Sequence, residues 1–111
     1  MKDVKGVIAS ISGKIGKKGY YDLSFAVYIA MQYQPMEVPL KIIFAQMRQM
    51  KYTTKEINSV NRAIARVVDD IWKNGSRENL CKIFGRELKE KPSTRDMICA
   101  LSQYCWAMKE E

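Results

Sequence analysis

The side chains best placed to do chemistry in this chain are hydrogen-bond donors: Lys55, Asn58, Ser59, Arg62, Arg66 and Lys73 fall within one short stretch. Among them Ile57, Val60, Ile64, Val67, Val68 and Ile71 recur at the spacing of a helical stripe, without the alternation of a strand. At about 100° per residue, the six donors gather on the side away from that stripe. Such a helix buries one face and offers the other to something polar and negatively charged. The chemistry on offer is recognition. A guanidinium can pair with both O6 and N7 of a guanine, and an Asn amide with N6 and N7 of an adenine.

Bond-making chemistry finds no comparable constellation. The chain contains no histidine, which removes Ser-His and Cys-His catalysis and zinc sites of the Cys/His type. Cys81, Cys99 and Cys105 are odd in number and lack C-x-x-C spacing, so they read as buried free thiols in a reducing cytoplasm. Asp69 and Asp70 are adjacent on a helix, point in different directions and read as ordinary helix surface. Residues 14–19 are basic and glycine-rich, but without a preceding strand or a G-K-[ST] ending they form a loop, not an NTPase phosphate cradle. No catalytic residue, metal site or cofactor is expected.

The donor-bearing helix needs a start, a stop and a partner. Thr53-Thr54-Lys55-Glu56 has the form of a capping box with Thr53 as N-cap. The helix is therefore expected to run from Thr54 to Lys73. Asn74-Gly75 ends it, glycine accepting the left-handed conformation after the last turn, and Trp72 continues its apolar edge one turn after Val68. Just before it, Leu40, Ile43, Phe44, Met47 and Met50 make the stripe of another helix, with only a few residues between the two. Two helices joined by a very short turn, the second basic on its outer face, are the layout of a DNA-binding helix-turn-helix. In that motif the second helix enters the major groove.

The rest of the chain is helical as well. Val4, Val7, Ile8, Ile11 and Ile15 predict a first helix, weakened by Gly6 and Gly13. Residues 20–33, apolar nearly all round with Tyr21, Leu23, Phe25, Val27, Tyr28, Ile29 and Met31, predict a central buried helix. Residues 34–39 break the chain, with Pro39 tolerated in the first turn of the next helix. Ser76 caps a short helix ending at Phe84-Gly85. Ser93-Thr94-Arg95-Asp96 forms another capping box, which opens a last helix with Met97, Ile98, Leu101, Tyr104, Cys105 and Met108 on one face. The expectation is an all-α, six-helix domain containing a helix-turn-helix, with residues 1–111 forming that single domain.

Charge agrees with this reading. Lys and Arg number 19 against 12 Asp and Glu, a net charge of +7, which favours nucleic acid or another anionic surface as partner. The excess lies in residues 1–19 and 51–75, while residues 20–50 are neutral. No apolar run of about eighteen residues is present, so no membrane span is expected, and the N-terminus lacks a signal-peptide pattern.

With the helices placed, the chain resembles a known family. Gly19-Tyr20-Tyr21-Asp22-Leu23, Thr53-Thr54, Val60-Asn61-Arg62-Ala63-Ile64, Trp72 with Gly75, Leu80 with Ile83-Phe84-Gly85, and Lys91-Pro92-Ser93 look like the C-terminal effector domain of the stage-zero sporulation master response regulator. The likeness runs from about Ile8 to Tyr104 and rests on the order and spacing of several weak motifs. It implies a six-helix fold, sequence-specific binding to a short promoter box, often in tandem copies, and control of transcription through RNA polymerase. Arg62 matches the family's guanine-reading Arg. The sequence departs from the family at Asn61 (usually Glu), Ala65 (usually Arg) and Arg66 (usually His), and it is about two residues longer between the Thr-Thr pair and Val60. It contains no receiver domain.

The expected base contacts are Arg62, Asn61, Arg66, Asn58 and Ser59. The expected phosphate contacts, which fix register without reading sequence, are Lys14, Lys17, Lys18, Lys55, Lys89 and Lys91. The expected partners are double-stranded DNA, RNA polymerase and, on DNA, a second copy as homodimer or tandem neighbour, with no membrane involved. The competing reading is a stand-alone protein-interaction module of the same fold that binds a regulator or RNA polymerase and has lost the family's DNA site.

Overall fold

One helix lies at the centre, and the others arrange themselves around it. In the computed structural model this is α2, Tyr21–Met31, in which Leu23, Ala26, Val27, Ile29 and Ala30 are buried. It packs against α1 (Lys2–Ile11), α3 (Leu40–Gln49), α4 (Ile57–Asn74) and α6 (Thr94–Glu110), while α5 (Arg77–Phe84) leans on α1 and α6. The structure describes residues 2–14 and 16–110, and side chains throughout that range except those of Lys2, Asp3, Lys17, Lys18, Lys109 and Glu110. The described residues form six α-helices and a single 3-10 turn, Lys17–Tyr20, with no strand. The chain is all-α.

The apolar stripes meet in one core. Val4, Val7, Ile8 and Ile11 of α1 are buried there with Ile43, Phe44 and Met47 of α3 and Met97, Ile98, Leu101 and Cys105 of α6. Two expected stripe residues at helix ends point outward instead. Met50 lies just past the end of α3 and Met108 near the end of α6, and both are exposed. Tyr21, at the start of α2, is also half-exposed, although it was expected among the apolar residues of a central buried helix. α1 stops at Ile11, and Ile15 lies outside the described residues.

Several caps sit where the sequence places them. The Ser76 hydroxyl accepts from the Asn79 amide at 3.2 Å and the Ser93 hydroxyl from the Asp96 amide at 3.0 Å, each satisfying an amide of the first helical turn. Gly85 takes the left-handed conformation, φ 73°, at the end of α5, and the Arg86 amide reaches back to the Cys81 carbonyl. The same wrap closes α3 without a glycine. Lys51 holds φ 63° while the Tyr52 amide donates to the Met47 carbonyl, a Schellman closure in which a lysine occupies the position usually given to glycine.

The turn between α3 and α4 is longer than expected. Thr53 is not the N-cap of α4, and no capping box forms. The helix opens at Ile57, not Thr54, with extended Glu56 as its N-cap and no side chain on its first amides, and it ends at Asn74, not Lys73. The Thr53 hydroxyl accepts from the Lys55 amide inside the turn. The extended path serves other contacts. Tyr52 stacks on Phe25 of α2 at 4.5 Å between ring centroids, and the Lys55 ammonium reaches the buried Asp22 carboxylate at 2.5 Å. These tertiary contacts override a local preference for helix.

Gly75 ends α4 for a different reason than expected. Its backbone is extended, φ −90° and ψ −173°, and a Cβ there would come within 2.0 Å of the Ile11 carbonyl oxygen. Glycine is required by the close approach of α1, not by a left-handed turn. Trp72, expected along the apolar edge, is half-buried, and the Arg77 guanidinium lies 3.3 Å from its ring centroid while also donating to the Trp72 carbonyl. Among the cysteines, only Cys105 is fully buried; Cys81 and Cys99 are half-buried, and none of the three is in a disulfide. Burial, reinforced by nearby Glu37, pushes the Cys99 thiol up, away from reactivity.

Candidate nucleic-acid interface

α4 sorts its residues cleanly. Val60, Ala63, Ile64, Val67, Val68 and Ile71 are buried; Asn58, Asn61, Arg62, Ala65 and Arg66 are exposed, and Ser59 is half-buried. Lys55, Ser59, Arg62, Ala63, Ala65 and Arg66 together line an open groove along the helix. The Arg62 guanidinium donates to the Ser59 hydroxyl at 3.3 Å. The described residues form four ion pairs, Lys55–Asp22, Lys73–Asp69, Lys91–Asp69 and Arg95–Glu37, and neither Arg62 nor Arg66 is in one. Two guanidiniums one turn apart therefore face solvent beside a small residue, Ala65, that leaves the approach open.

Nearer the C-terminus of α4 the same face carries a cluster of ion pairs. Asp69 accepts from Lys73 at 3.2 Å and from Lys91 at 3.3 Å, and these two lysines hold its carboxyl below the usual carboxylate range. Arg62 and Arg66, outside these ion pairs, precede this cluster along α4.

The expected site residues divide. Ser59, Arg62 and Arg66 meet in the groove; Asn58 and Asn61 are exposed on α4 but do not line it. Lys55 also lines the groove, but from the turn before α4, with its ammonium on Asp22. Lys91 is held by Asp69, and Lys89 is exposed in the linker to α6. Lys14 is exposed; Lys17 and Lys18 belong to the 3-10 turn, and their side chains lie outside the described residues.

Asp70, expected at the helix surface, is instead buried and is the hub of a network. Its carboxylate accepts from the Tyr20 hydroxyl at 2.6 Å, the Asn74 side-chain amide at 2.9 Å and the Lys14 backbone amide at 3.1 Å. The Tyr20 oxygen in turn accepts from the Gly13 amide at 2.7 Å. Gly13 fits so closely that a Cβ there would lie 2.6 Å from both the Asp70 carbonyl and its carboxylate. Burial first, and then the bond to Asp70, push the Tyr20 phenol up to about 12. The sequence signal for this was slight. Asp70 sits where the polar and apolar sectors of α4 meet, but its partner Tyr20 is separated from it by fifty positions.

Comparison with known families settles the kinship. The family described as "Sporulation initiation factor Spo0A C terminal" matches residues 4–105. The chain belongs to this family. The Spo0A C-terminal family comprises DNA-binding regulators of transcription in sporulation, and its match runs from Val4 in α1 to Cys105 in α6. Searches of curated proteins and of solved structures return no match. Among the described residues no helix is long and apolar enough to cross a membrane, and no cluster of His, Cys, Asp or Glu suited to a metal ion occurs.

Proposed function

We propose that the domain is a sequence-specific DNA-binding transcriptional regulator in which α3 and α4 act as a helix-turn-helix, with α4 in the major groove. The observation that carries this reading is the pair Arg62 and Arg66. Both are exposed, both lie outside every ion pair described, and both line the groove along α4. Arg62 supplies the guanine contact, with Ser59 holding its guanidinium from one side. Arg66 extends the reading by one helical turn. Asn58 and Asn61 flank this pair and accommodate adenine, while lysines around the rim contact phosphate and fix register. RNA polymerase and a second copy of the domain on neighbouring DNA are the partners proposed from family membership.

Site selection from random duplexes tests the assignment, using wild type and Arg62→Ala. Removing a bidentate base contact costs about 1–3 kcal/mol and relaxes choice at that base pair. If Arg62→Ala instead weakens all sequences alike, Arg62 is a phosphate clamp and another residue reads the base. The competing protein-interaction reading separates on salt. A DNA reader loses about 0.9 log unit of affinity per log unit of salt for each phosphate neutralised, and the absence of duplex binding even at low salt would favour the interaction module.

A further inference from the structure

Asp70, the hub of the buried network, stands one helical turn beyond Arg66 of the groove, and the proposed reading of α4 gives that network a task. Ser59, Ala63, Arg66 and Asp70 follow one another at intervals of four, three and four residues, so they form a single ridge along one edge of α4. Lys55 lines the groove at the start of that ridge. At its far end Asp70 accepts from the Lys14 amide and from the Tyr20 hydroxyl, and the 3-10 turn packs against α4. From Ser59 to Asp70 the helix rises about 16 Å, at about 1.5 Å per residue. That is on the order of five base steps of about 3.4 Å along one strand.

The basic N-terminal segment is thus brought to the flank of the reading face by hydrogen bonds to one buried carboxylate. The absence of a side chain at Gly13 and Gly75 permits the approach: a Cβ at either position would overlap backbone of the opposing segment. Lys14 itself donates only its main-chain amide to Asp70, and its side chain is exposed.

We propose that Tyr20 and Asp70 are positioning residues for DNA binding, fastening the segment of Gly13 and Lys14 and the turn carrying Lys17 and Lys18 along the α4 edge as a second phosphate-contacting rim. The inference rests on the DNA reading of α4. It adds that part of the affinity, though none of the base choice, depends on a hydrogen bond in the protein interior.

The test compares salt dependence and base preference for wild type, Tyr20→Phe, Asp70→Asn, the triple variant Lys14→Gln/Lys17→Gln/Lys18→Gln, and the triple variant combined with Tyr20→Phe. For the triple variant the slope of log affinity against log salt should shrink by about 0.9 for each phosphate that is no longer neutralised. The preferred sequence should not change. A folded Tyr20→Phe or Asp70→Asn, verified by circular dichroism, should shrink the slope in the same direction, and the triple change should then add little in the Tyr20→Phe background. A triple variant with the wild-type slope overturns the proposal, whether or not the network variants fold. So does a folded Tyr20→Phe in which the lysine changes keep their full effect. Wild type that binds duplex DNA with salt dependence while the triple variant matches it sinks the rim and leaves the reading of α4 standing. Wild type that shows no salt-dependent binding sinks both.

Discussion

Trp72 illustrates how much a single neighbour changes the role of a side chain. By position it extends the apolar edge of α4, and a fully buried Trp replaced by Ala costs about 3–5 kcal/mol. In the fold it is half-buried, with the Arg77 guanidinium 3.3 Å from its ring centroid and bonded to its carbonyl. The stack contributes on the order of 0.5–1 kcal/mol at an exposed site, and the ring covers core only on its inner side. Trp72→Ala is therefore expected to lower stability by about 2 kcal/mol, within the ordinary range for a single substitution, and to leave a folded domain. Arg77→Ala should cost less, and the two effects should not be additive. Chemical denaturation of the two single variants and the double variant checks this. A drop of about 5 kcal/mol for Trp72→Ala, the upper end for a buried Trp, would mean that the ring is a core residue after all.

At the scale of elements, the caps separate what a local motif can tell from what it cannot. Ser76 and Ser93 were legible because an N-cap needs only its own hydroxyl and an amide three residues on. Thr53 has the same local pattern but caps nothing, because Tyr52 and Lys55 are drawn to Phe25 and Asp22 on α2. Those partners lie far away in sequence, and no local rule weighs them. Ser76→Ala should accordingly destabilise the domain by about 1 kcal/mol. Thr53→Ala should cost less than about 0.5 kcal/mol, as is usual for a surface change away from such features. Thermal melts of the two variants side by side decide the matter; equal destabilisation would restore Thr53 to a capping role. The polar face of α4 is unaffected by this shift of boundary, since Asn58, Ser59, Arg62 and Arg66 all lie inside the helix as observed.

The whole molecule was legible as far as periodicity reaches. Six helices, the central place of α2 and the buried stripe of α4 follow from apolar spacing, which a sequence carries in full. What stayed hidden depends on which segments meet. Asp70 looked like surface because its partners Tyr20 and Lys14 belong to the other end of the chain. Gly75 was recognised as a stop but for a conformational reason, whereas the constraint is the Ile11 carbonyl packed against it. Lys91 and Lys55, both basic and near the proposed interface, turn out to be engaged with Asp69 and Asp22. A count of basic residues along the chain therefore overstates how many of them are free of ion pairs near α4.

The Tyr20 phenol also sets an alkaline limit on the fold. Free in an unfolded chain it loses its proton near its ordinary value of 10.0, while in the native network it holds that proton up to about 12. Between those values the unfolded state binds fewer protons than the native state, so stability must fall as pH rises. The contribution is complete below pH 10 and disappears across the interval from 10 to about 12. All other ionisable groups are common to wild type and Tyr20→Phe, so the difference between the two isolates the phenol. Denaturant unfolding from about pH 8 upward should show wild type losing its advantage over Tyr20→Phe above about pH 10. A phenolate placed 2.6 Å from the Asp70 carboxylate would repel it, and the junction of the 3-10 turn with α4 is where alkaline unfolding of this domain should begin.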